Sequence, residues 1–119
     1  MKSRAVVAIV VSAALSAAVW ALSVPITGQN EPWDAETPYY WVALGVAGAM
    51  SGALVPKHLW AHYVGAILGQ AAYELAFFKL GPLFILGLAF LAGYSIIFVV
   101  AAAIVASLRK GADNEATAV

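Results

Sequence analysis

Three groups of side chains have the types and spacing to do chemistry. His58 and His62 stand one helical turn apart, so on a helix both imidazoles can point the same way. That spacing can begin a metal site, but zinc takes four ligands and no third candidate lies nearby. Gln70 and Glu74 form a second pair at the same spacing. An amide and a carboxyl on one face can bind a proton or a polar substrate. Glu31, Asp34 and Glu36 form an acidic run without a basic residue. Calcium needs six or more oxygens in a shaped loop, and this run lacks that pattern, so a solvated loop is expected. No cysteine is present, which removes thiolate ligands and a cysteine nucleophile. No nucleophile–base arrangement stands out. The chain is not expected to be an enzyme, and no cofactor or metal is expected.

The elements that must position these groups are set by an unusual composition. Of 119 residues, 64% are hydrophobic and 10% charged. A soluble domain is about half apolar and a quarter charged, and a chain this short has too little interior to hide the excess. The expected fold is all-α: a polytopic integral membrane protein, a bundle of four transmembrane helices in a single domain. Each span needs about 20 apolar residues. The spans are expected at about 5–24, 39–55, 59–78 and 83–108. Pro25 and Gly28 end the first, and Thr37-Pro38 reads as an N-cap with proline at the first helical position. Pro56-Lys57 and Lys79-Gly81-Pro82 supply the later breaks. Residues 29–38 form an external acidic loop, and 111–119 a disordered cytoplasmic tail.

Basic residues set the orientation. A cytoplasmic N-terminus places Lys2, Arg4, Lys57, Arg109 and Lys110 inside and only Lys79 outside. Both termini are therefore expected in the cytoplasm, with a bacterial inner (plasma) membrane as the location. Trp33, Tyr39, Tyr40 and Trp41 fall at the outer edge as an aromatic belt, with Trp60 and Tyr63 at the inner edge. Ala21-Leu22-Ser23 has the small-x-small form of a signal cleavage site, but the apolar stretch before it is longer than an ordinary signal core. The small multidrug transporters and fluoride channels are similar in size and hydropathy. The chain lacks the mid-helix glutamate of the first and the helical Asn motifs of the second.

Glycines mark the helix contacts. Gly45, Gly48 and Gly52, with Trp41, share one face of the second span. His58, His62, Gly65, Gly69, Ala72 and Ala76 form a stripe on the third. Such stripes let membrane helices approach closely; these two helices are expected to pack within one subunit, with a dimer interface as the alternative reading. Depth separates the two polar residues. Glu74 lies ~6 Å from the outer end of its helix and can reach the interface or Lys79. Gln70 lies roughly 12 Å from that end and should bond to a neighbouring helix. The histidines are expected to anchor the inner edge. Together these features predict a non-catalytic accessory or assembly subunit of a larger membrane complex. The alternative is a small oligomeric transporter or channel using Gln70 and Glu74. The partners expected are the bilayer and other membrane subunits or a second copy. Zero net charge argues against nucleic acid.

Overall fold

The computed structural model describes residues 2–28, 38–77 and 84–118, with side chains over 4–28, 38–77 and 84–109. The expected acidic loop over 29–37, Thr37 and Lys79 lie outside the described residues. Helix α1 spans Lys2–Ala21, α2 Ser23–Thr27, α3 Tyr39–Leu54, α4 Leu59–Phe77 and α5 Phe84–Ala118. The described chain is all-α, with four long helices and the one-turn α2. Two segments, Arg4–Thr27 and Phe84–Arg109, are long and apolar enough to cross a membrane, while Tyr39–Leu54 is apolar but shorter.

Local chemistry explains the boundaries. Pro25 has no N–H to give the Ala21 carbonyl, so the helix is interrupted there. It resumes as α2 instead of ending at the proline. Gly28 closes it with φ of 81° and its N–H on the Val24 carbonyl at 2.8 Å, a left-handed cap that glycine adopts without strain. Pro38 is itself the N-cap of α3, one position earlier than the first helical turn predicted for it. α5 continues through Ala118. Extending an existing helix adds a hydrogen bond per residue without a new nucleus.

The long helices alternate in direction and form two tight pairs, α1 with α4 and α3 with α5. Glycines make both pairs close. A methyl on Gly48 would overlap the backbone of Phe98, and one on Gly52 that of Ala102, both in α5. Gly65 meets Ile9 and Ser12, and Gly69 meets Ala13 and Ser16, all in α1. The two glycine stripes thus face different helices, and α3 and α4 meet only slightly. Both stripes meet helices of the same chain, but each has a different partner. Small residues permit close approach but say nothing about which helix approaches. Gly45 has open space where a methyl would go, and Trp41, Ala72 and Ala76 are exposed. These residues lie at the ends of the stripes, beyond the close contacts of Gly48, Gly52, Gly65 and Gly69.

Between the pairs the core is mixed. Val19, Tyr40, Leu44, Ala47, Ala66 and Phe98 form its larger cluster, and Ala8, Val55 and Ala61 a smaller one near the α1 N-terminus. At that same end the Arg109 guanidinium donates to the Ala53 carbonyl near the α3 C-terminus, where the helix dipole favours a cation.

Glycine substitutions test these contacts. Gly48→Ala and Gly69→Ala should each destabilise the fold by about 1–3 kcal/mol through overpacking. Gly45→Ala should be neutral or stabilising by up to about 1 kcal/mol, the helix gain over glycine. Reversible unfolding in mixed detergent micelles measures all three. Equal behaviour of the three variants would contradict the assigned contacts.

Candidate functional site

The only buried amide side chain among the described residues sits where all four long helices meet. Gln70 is fully buried. Its Oε1 accepts from the Trp20 indole of α1 at 2.8 Å and from the Tyr40 hydroxyl of α3 at 2.5 Å. Its Nε2 donates to the Ala66 carbonyl of its own helix at 3.0 Å and to Ser95 Oγ of α5 at 3.0 Å. An amide offers two acceptor and two donor positions, and all are used. The orientation of the amide is fixed by chemistry. Trp20 can only donate and the Ala66 carbonyl can only accept, so a flipped amide would face both with the wrong partner. Aromatic rings pack around the hub. Trp20 meets Tyr40 edge-on, with centroids 6.3 Å apart and planes at 84°. Tyr40 lies 4.8 Å from Tyr94.

Gln70 therefore bonds to neighbouring helices. Its partners were read differently in sequence. Tyr40 was expected in the outer belt but is 2% exposed, because its hydroxyl is turned inward to the amide. Trp20 carried no signal beyond its size. Ser95 is one hydroxyl in a charge-free span, and nothing in the sequence marks it as a partner of Gln70.

Glu74 was expected to reach the interface but is 6% exposed. One turn beyond Gln70, it stays on the same inward face, within electrostatic reach of Tyr40. Tyr73 beside it stacks on Phe77, with centroids 4.6 Å apart, and approaches Trp20 at 6.4 Å.

The histidines separate. His58 precedes α4 and has φ of 59°, so the helical relation to His62 does not hold. Its carbonyl starts α4 by accepting from Ala61 at 2.8 Å. His62 is not an interfacial anchor but is fully buried. Its Nε2 lies 2.7 Å from the Val55 carbonyl and its Nδ1 2.6 Å from Ser51 Oγ. A carbonyl can only accept, so Nε2 carries hydrogen and donates to Val55, while Nδ1 shares a hydrogen bond with the Ser51 hydroxyl. Both nitrogens thus staple α4 to the end of α3. No group of three or more His, Cys, Asp or Glu that could hold a metal occurs among the described residues.

Further polar groups were missed in sequence. Ser12 and Ser16, both fully buried, return their hydroxyls to α1, Ser12 to the Ala8 carbonyl at 2.7 Å and Ser16 to that of Ala13 at 3.1 Å. Their available signal was a run of small residues at helical spacing, Ala8, Ser12, Ser16 and Ser23, in the charge-free stretch that follows Arg4. Tyr39 and Tyr63 each bond a backbone carbonyl across the seam between the pairs. Tyr39 donates to Val19 at 2.5 Å and Tyr63 to Ala92 at 2.7 Å.

The chain matches no protein-family model, no curated protein and no solved structure.

Gln70→Leu removes the acceptor for two buried donors and should destabilise the fold by about 2–5 kcal/mol. Tyr40→Phe leaves the amide its other partners and should cost about 1 kcal/mol. Unfolding of both variants in one lipid–detergent mixture compares them. If Gln70→Leu proves as mild as Tyr40→Phe, the hub has no special structural weight.

Proposed function

We propose that the chain is a small non-catalytic integral membrane protein of four spans that serves as an accessory or assembly subunit of a larger membrane complex. The observation that carries this reading is an inverted distribution of polarity. Fully buried positions include Ser12, Ser16, Ser51, His62, Gln70 and Ser95, while Val10, Val46, Leu68, Phe90, Val100 and Ile104 are each at least half exposed. Water would penalise such an exterior. Lipid accepts it, and requires polar groups to find partners inside the protein. The Gln70 amide has no remaining capacity for a substrate, which favours a structural role over a transport pathway.

The orientation rests on charge. Arg109 meets the C-terminal end of α3, and Ala8 of α1 packs with Val55 and Ala61. Arg4, Lys57 and Arg109 therefore share one end of the bundle. In a bacterial inner membrane that end faces the cytoplasm, with both termini. Trp60 belongs to this end and Trp41 to the other, and they are 58% and 61% exposed, as interfacial anchors are. α3 has 16 residues, roughly 24 Å. A bilayer core of ~30 Å would thin locally around it. The first helix belongs to the bundle in this reading, because Trp20 supplies part of the hub and α1 fills the Gly65–Gly69 face.

A second reading has one observation in its favour. Glu74 is a carboxyl 6% exposed and within electrostatic reach of Tyr40, and intramembrane ionisable groups mark transport pathways. In that reading the chain is an oligomeric transporter with Glu74 as its coupling group.

Two experiments decide. A cytoplasm-dependent reporter should be active when fused after Val119 and silent when inserted within 29–37. The reverse pattern overturns the orientation. Purification in mild detergent should yield a heteromeric complex with a larger membrane partner. A homo-oligomer whose proton-linked transport is lost in Glu74→Gln, with folding retained, replaces the accessory reading with the transporter one.

A further inference from the structure

We propose that the basic end of the bundle is a binding surface for the headgroup phosphate of an anionic phospholipid, with Arg4, Lys57 and Arg109 as its cations. The proposal rests on the membrane reading above. These three residues are far apart in the chain, and the fold brings them to the short connection between α3 and α4. Arg4 stands one turn before Ala8, which packs with Val55 and Ala61 on the two sides of that connection. Lys57 belongs to the connection itself. Arg109 donates to the Ala53 carbonyl at its start. One neutral acceptor leaves the guanidinium its charge and its other donors. All three cations are exposed. No described carboxylate shares this end, because Glu74 lies toward the opposite end of α4. Asp113 and Glu115 follow Arg109 on α5, but roughly 6 and 9 Å further along the helix axis.

Charge and depth select the occupant. Three cations call for an anion, and a second copy of this end would set like charges against each other. Exposed apolar residues flank the same cations in sequence. Leu54, Leu59 and Trp60 stand around Lys57, and Leu108 precedes Arg109. An anionic phospholipid meets both kinds of surface at once, its phosphate on the cations and its acyl chains on the leucines and the indole. A soluble acidic partner would have to press its charges against that apolar collar, where they lose water. A free phosphate has no apolar part and competes with headgroups already held at this depth. Each basic residue near an anionic leaflet raises the affinity roughly fivefold. The three together favour an anionic over a zwitterionic lipid by roughly a hundredfold.

The test is native mass spectrometry of the intact protein from micelles carrying equal amounts of phosphatidylglycerol and phosphatidylcholine with the same acyl chains. Physiological salt, with a Debye length of about 8 Å, suppresses long-range attraction and leaves contacts. Wild type should retain phosphatidylglycerol in preference. Lys57→Gln and Arg4→Gln, at exposed positions, should each lower the ratio of the two retained lipids roughly fivefold, with helicity by circular dichroism unchanged. Lys57→Arg keeps the charge and should keep the ratio. Equal retention of the two lipids by wild type overturns the proposal. So does a preference that survives in a folded variant carrying both Gln substitutions. Loss of the preference on adding millimolar inorganic phosphate overturns it as well, since that marks a site for a free anion. Resistance of the protein to alkaline extraction from membranes is read in parallel. Extraction would sink the membrane reading itself, whereas an integral protein without the lipid preference sinks only this proposal.

Discussion

One amide side chain sets the constraint on which the rest of the bundle depends. Gln70 cannot stay in an apolar interior without partners for four hydrogen-bonding positions, and each of the four long helices, its own included, supplies one. The helix positions that satisfy it are few. Sliding α3 by one turn takes Tyr40 away, and rotating α5 takes Ser95 away. The net energy of each such bond in a membrane is modest, averaging about 0.6 kcal/mol, because the separated helices also find partners. The penalty for leaving a buried donor unsatisfied is larger, about 1–3 kcal/mol. The hub therefore acts more by excluding other arrangements than by adding stability to this one.

The remaining interactions divide by type. Within each tight pair, glycines bring backbones together, Gly65 and Gly69 on α1 and Gly48 and Gly52 on α5. Between the pairs, hydroxyl, imidazole and amide groups span the seam: Tyr39 to Val19, Ser51 to His62, Tyr63 to Ala92 and Gln70 to Tyr40 and Ser95. This division suits a solvent that gives helices no hydrophobic reason to associate. Close packing supplies dispersion inside each pair, and directional bonds fix how one pair sits against the other. His62 adds a second fastening near the basic end, where the α3 carbonyls would otherwise lack donors. Glu74 lies on the same inward face of α4 as Gln70 and is 6% exposed.

Much of this was legible in the sequence, and the illegible part has a common cause. Helix positions followed from runs of apolar residues broken by Pro25-Gly28, Pro56-Lys57 and Gly81-Pro82, and the boundaries of α3 and α4 fall within a residue of the expected spans. Gln70 was readable as an interhelical group from its depth alone. Its partners were not. On the proposed membrane reading the inward and outward faces are both apolar, so the pattern that separates core from surface in a water-soluble helix is weak. Tyr40 and Trp41 are adjacent aromatics of similar character, yet one is buried in the hub and the other faces outward. The pairing of the helices was hidden for a related reason, since a glycine stripe marks a close approach without naming the partner. His58 and His62 looked alike by spacing, and only the left-handed turn at His58 parts them.

The central claim, that Gln70 ties the four helices together, is tested most directly by hydrogen exchange at the indole N–H groups in lipid bilayers. Trp20 donates to Gln70, while Trp41 and Trp60 are largely exposed and act as internal references. The account predicts that the Trp20 indole exchanges only when the bundle opens globally, at the rate of the slowest backbone amides. Exchange of Trp20 as fast as that of Trp41 and Trp60 would contradict it.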